Sequence, residues 1–212
     1  MLETLVGPTG GLQLQFSFGK WPGSGTEIDN IDVFCFDGSE TNLHIQRQPR
    51  MTRRPTNIIS SDAIVASVGI VPTEEGSRSK HISIRSQEEV SGSICSSGGG
   101  GPHFSYEAET SFPQQSDLPS YKCRSSPGPL GPQIEIFSND DETTPCATIR
   151  DVTKPFEKRA SCQIFVPSAD AVNMYIILCI AADMINEMHV FEQKAKQNAM
   201  LVACCSSVCT VS

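Results

Sequence analysis

Residues 169–197 read ADAVNMYIILCIAADMINEMHVFEQKAKQ, and what surrounds the middle of this stretch decides the fold. Placed on a helix at about 100° per residue, Asp170, Asn173, Asp183 and Glu187 fall on one side. Ile176, Ile177 and Ile180 interrupt that polar strip, so the middle turns are apolar all round. A helix of that kind is buried on every side. Pro167 and Ser168 set up its start, with Ser168 as the expected N-cap and Asp170 near the positive end of the helix dipole.

Lipid or the inside of a protein can surround such a helix. The uninterrupted stretch, residues 171–185, covers about 22 Å against about 30 Å of hydrocarbon. It also holds Asn173 and Asp183, and an aspartate near its end adds up to about 2.5–3.5 kcal/mol to membrane insertion. The expected arrangement is therefore a hydrophobic helix enclosed by a β-sheet that curls around it. A single membrane span is the alternative.

The residues before the helix supply short strands. LQLQFSF (12–18) alternates apolar and polar with period two. IDVFCF (31–36), the turn signal Asp37-Gly38 and NLHIQ (42–46) predict a hairpin over 31–48. AIVASVGIV (63–71) and HISIR (81–85) follow. From 91 to 132 the composition shifts to Ser, Gly and Pro, which predicts a long flexible loop with one strand near 104–108. Within it PGPLGP (127–132) reads as a turn-rich connector in preference to a polyproline ligand. QIEIF, CATIR and SCQIFV predict three further strands after residue 133, giving about nine in all.

Strand, then VPSADAV, then an apolar helix ending in ADMINEMHVFE resembles the C-terminal part of the tubby-like barrel superfamily. Within it the phospholipid scramblases and the LURP-one-related proteins are most similar. IDVFCFDGSE is similar to their strand–Asp-Gly–strand repeat, and IEIFSNDDETTPCATIRD to a late hairpin of the same kind. The resemblance is carried by residues 133–192. It implies a twelve-stranded barrel threaded by the helix, with Pro167 and Asp170 leading into it, and a role at phospholipid. Scramblases carry an acidic calcium loop near the last strand. Here Arg159, Ala160 and Ser161 stand at that place, so no calcium site is carried over. Tubby-type phosphoinositide binding uses basic side chains. The cluster Arg47, Arg50, Arg53 and Arg54 is the one candidate headgroup site, and a solvated loop is the preferred reading of it.

The chain ends in CTVS. Read as a C-a-a-X box, this makes Cys209 a prenylation site, with Val211 as the aliphatic residue and the terminal serine favouring farnesyl. Cys204 and Cys205 just upstream are then candidate palmitoylation sites. The layout resembles the tails of Ras-type small GTPases. One lipid chain holds a protein only marginally and two hold it stably. Residues 1–198 thus form the expected single domain and 199–212 a lipidation-type tail.

Composition narrows the function classes. The net charge of −8 argues against nucleic acid as a partner, which needs a basic footprint. The first residues lack the basic and apolar regions of a signal peptide and Leu2 follows the Met, so neither a signal peptide nor N-myristoylation is expected. The nine cysteines form no CxxC and show no zinc spacing, so no metal or cofactor is expected. GxSxG, HExxH, GxxxxGK[ST] and a strand-to-helix GxGxxG are all missing, which argues against an enzyme. The expectation is a non-enzymatic phospholipid-binding or scramblase-like protein, lipid-anchored on the cytoplasmic face of a membrane. A soluble interaction module of the same fold in the cytoplasm is the second reading.

Overall fold

The computed structural model describes residues 11–19, 29–35, 40–48, 54–70, 80–85, 89–98, 104–113, 118–128, 131–151, 159–168, 170 and 172–208. Twelve strands among these residues close into one antiparallel barrel, followed by a single helix. In chain order the strands are β1 (Leu12–Gly19), β2 (Asp29–Cys35), β3 (Glu40–Arg47), β4 (Thr56–Ser60), β5 (Ala63–Ile70) and β6 (Lys80–Arg85). Then come β7 (Glu89–Gly98), β8 (Tyr106–Ser111), β9 (Tyr121–Gly128), β10 (Gly131–Ser138), β11 (Ala147–Asp151) and β12 (Arg159–Val166). Each pairs with its neighbour in sequence, and β1 pairs with β12 from Leu12↔Val166 to Gly19↔Arg159 to close the ring. Closure removes the edge strands that an open sheet would leave.

Period-two alternation sends one row of side chains inward. Leu12, Leu14 and Phe16 of β1, Ile82 and Ile84 of β6, and Ile134 and Ile136 of β10 are buried in this way. They pack around α1 (Met174–Val208). Every residue from Ile176 to Ala182 is fully buried, as is Ile185, so the enclosed-helix expectation holds. The wall formed by β4–β8 lies nearest to the helix. No helix among the described residues is long and apolar enough to cross a membrane.

Three strands had no counterpart in the period-two reading: β4, β7 and β9. The loop expected over 91–132 is instead barrel wall, since it holds most of β7, all of β8 and β9, and the start of β10. Its composition misleads because two inward positions of β7, Gly92 and Gly98, must be small. A Cβ on Gly92 would sit 2.3 Å from the Phe112 ring, and one on Gly98 would sit 2.7 Å from the Glu187 Cβ. Pro127 and Pro132 face each other across the β9–β10 ladder, which gives PGPLGP the role of a hairpin end. Strand β4 was hidden by its polar residues and by the turn that follows. Ser61 and Asp62 both take positive φ, 48° and 65°, as a type I′ hairpin requires.

The helix boundaries also differ from expectation. Ser168 is exposed and precedes α1, and Asn173 is the N-cap. The Asn173 Oδ1 accepts from the Tyr175 N–H at 3.1 Å and the Ile176 N–H at 3.3 Å. Capping at 173 wins because it starts the helix inside the barrel, where unsatisfied amides are most costly. Asp170 is exposed and lies before the helix, so it is no part of the enclosed face. At the other end, helical backbone continues through 199–208, residues expected as a separate tail.

Candidate functional site

The strands alternate in direction, so the barrel has two distinct ends. The starts of the odd-numbered strands and the ends of the even-numbered ones lie at the first, where β12 hands the chain to α1. There the Asn173 N–H donates to the Tyr121 hydroxyl at 2.8 Å. Burial pushes the Tyr121 hydroxyl up to about 12, partly opposed by that hydrogen bond. It therefore stays protonated and accepts the amide as a neutral group.

The second end carries charge. Lys80, at the start of β6, points inward in phase with Ile82 and Ile84. Its Nζ donates to Asp183 Oδ1 at 2.5 Å, to Glu187 Oε1 at 2.6 Å and to Ser96 Oγ at 2.9 Å. An ammonium has three donors, and all three are used. Tyr106 completes the cluster, its hydroxyl donating to Asp183 Oδ2 at 2.9 Å. Burial first, then the Asp183 charge, raises the Tyr106 hydroxyl well above its ordinary value, so it acts as a donor. Asp183 and Glu187 stand one helical turn apart on α1, which aims both at Lys80. Beside them the Asn186 amide donates to Thr56 Oγ1 at 3.3 Å. With its donors and acceptors matched, this cluster fastens the helix to the wall and leaves little for a ligand.

Its residues were only half visible beforehand. Asp183 was a candidate, whereas Lys80, Ser96 and Tyr106 were missed. The available signal was Lys80 itself, a lysine in the inward phase of an apolar strand. Such a charge needs a buried partner.

The other candidates are scattered. Ile176, Ile177 and Ile180 are enclosed as expected. The arginine cluster is divided: Arg47 is turned inward on β3, buried, with its Nη1 3.3 Å from Asp29 Oδ2. Period-two alternation with Leu43 and Ile45 puts it on the inner face, which removes it from any surface headgroup site. Arg54 is exposed, and Arg50 and Arg53 lie outside the described residues. The backbone at Cys204 and Cys205 belongs to α1, and Cys209 lies outside the described residues. Cys123 and Cys179 are buried, and burial raises both thiols far above the ordinary cysteine range, which leaves them poor nucleophiles. No group of metal-ligating side chains occurs among the described residues.

A second feature lies on the outer wall. A groove of about 410 Å³ runs across β7–β10, lined by Cys95, Ser97, Glu107, Glu109, Lys122 and Arg124 with Phe137 and Glu142. Arg124 lies over the Phe137 ring, 4.3 Å from its centre, and Lys122 bonds to Glu142 of the β10–β11 turn. A volume of that size is typical of small-ligand sites. Comparison of the chain with protein-family models, with curated proteins and with solved structures gives no significant match in any of the three.

Proposed function

We propose that this protein is a non-enzymatic, tubby-like or scramblase-like barrel that works at a phospholipid surface and is held there by lipids on Cys209 and on Cys204 or Cys205. The observation that carries the reading is the continuity of α1. One helix fills the barrel and continues without a break to Val208, the residue before the candidate prenyl cysteine. From Ile185, its last fully buried residue, to Cys204 the helix advances about 28 Å, enough to hold a barrel clear of an anchoring surface. The closed barrel around a hydrophobic helix agrees with what the resemblance of residues 133–192 implies. In this reading the protein presents the barrel wall to lipid headgroups or membrane-bound partners, and calcium has no part in it.

Detergent-phase partitioning of the chain expressed in eukaryotic cells tests the anchor, with mass spectrometry of the C-terminal peptide. Wild type is expected in the detergent phase with a farnesyl mass and Cys209→Ser in the aqueous phase. An unmodified peptide with both forms aqueous would replace this reading with a soluble interaction module of the same fold.

A further inference from the structure

We propose that the groove on the β7–β10 wall binds a zwitterionic phosphate–ammonium group of the phosphoethanolamine or phosphocholine kind. This deepens the phospholipid function proposed above, and it rests on that function only for the source of the headgroup.

The register builds two parallel strips of opposite charge. Glu107 and Glu109 face outward on β8, and on β9 Arg124 and Lys122 stand directly opposite them. Acid and base so placed would ordinarily pair across the strands. Here the basic side chains turn the other way, Lys122 to Glu142 and Arg124 onto Phe137. Glu107 and Glu109 have no ion pair in contact among the described residues, and Glu109 meets the Lys122 charge only at longer range. The groove therefore has a cationic bank and a bank of unpaired carboxylates.

Its dimensions choose the ligand. Because the basic side chains lean toward β10, the two banks stand between one and two strand spacings apart, about 5–10 Å. A phosphate and an ammonium joined by a two-carbon bridge span that gap. An α-amino acid, with one carbon between its charges, is too short. Free phosphate would meet the unpaired carboxylates and be repelled. A guanidinium stacked on a ring keeps its in-plane N–H donors at the edge, where they match phosphate oxygens in pairs. The Lys122–Glu142 pair is exposed and worth little by itself, so Lys122 can exchange it for a phosphate. The small Ser97 and Cys95 keep the β7 side of the groove low.

The test uses the full chain made in bacteria, which carries no lipid, so its outcome is separate from that of the anchor experiment. Calorimetric titration compares glycerophosphoethanolamine with inorganic phosphate and with ethanolamine. The zwitterion is expected to bind at least tenfold more tightly than either half. Glu107→Gln with Glu109→Gln should reduce its affinity to that of phosphate alone, and Arg124→Gln should abolish binding. Glu107 and Glu109 are exposed, so the melting temperature of their variant should not move, while Arg124→Gln, which uncovers the Phe137 ring, should melt slightly lower but remain folded. Flotation with phosphatidylethanolamine–phosphatidylcholine vesicles, competed by glycerophosphoethanolamine, would assign the group to a lipid surface. Titration without flotation would assign it to a soluble headgroup ester, with the site unchanged. Absence of binding, equal binding of phosphate, or variants with unaltered affinity would overturn the proposal.

Discussion

Where α1 begins, one asparagine side chain and one tyrosine hydroxyl satisfy its first amides, all as neutral groups. Where its burial ends, a lysine from the wall donates hydrogen bonds to two carboxylates and a serine, and a tyrosine donates to the remaining aspartate oxygen. Both arrangements stop the enclosed span, but their energetics differ. A neutral cap loses about one hydrogen bond when it is removed. A buried ion cluster that loses one member leaves charge without a partner, which costs far more. At the first end the cap and its amides lie within three residues, and only the tyrosine comes from a distance, 52 residues away. The second depends on groups 103 and 107 residues apart.

The largest expected effect lies between the two ends. Ile180→Asp places a charge where neither set of polar groups reaches, and should cost at least about 5 kcal/mol in denaturant unfolding. Unchanged stability would mean that the helix is not enclosed. At the charged end, Lys80→Met should cost about 3–5 kcal/mol, because it strands Asp183 and Glu187. Adding Asp183→Leu and Glu187→Gln to it should recover most of that loss. If the triple variant stayed as unstable as the single one, the lysine would be needed for packing and the contrast of charge would fail. Asn173→Ala, at the neutral end, should cost only about 1 kcal/mol. A loss as large as that of Lys80→Met would show the two ends to be equivalent.

The sequence shows clearly what depends on periodicity and less of what depends on fit. All-round apolarity at 176–182 identified an enclosed helix, and strands such as β1, β6 and β10 showed their alternation openly. β7 and β9 did not, because inward glycine, serine and cysteine carry no hydrophobic signal. Gly92 and Gly98 of β7 are small because Phe112 and Glu187 approach them, contacts that exist only in the folded wall. The N-cap was placed five residues early, at Ser168, because its local chemistry is as suitable as that of Asn173. Depth inside the barrel decided between them. Of the charged cluster, Asp183 was legible as a misfit in an apolar helix, and its partner across the wall was not. Arg47 was misassigned for the opposite reason, since grouping by sequence neighbours ignored the phase of β3.

Ring closure has a consequence for the time course of synthesis. Gln15 and Gln163 bond to each other across 148 residues, so β1 must wait for nearly the whole barrel to be translated before its outer edge is paired. The helix that fills the interior comes later still. A nascent chain therefore passes through a stage with twelve strands' worth of apolar faces and nothing to pack against them. Such non-local pairing is slow and prone to aggregation. Folding is accordingly completed only once the helix has followed the twelve strands, and the helix acts as the mould on which the wall sets.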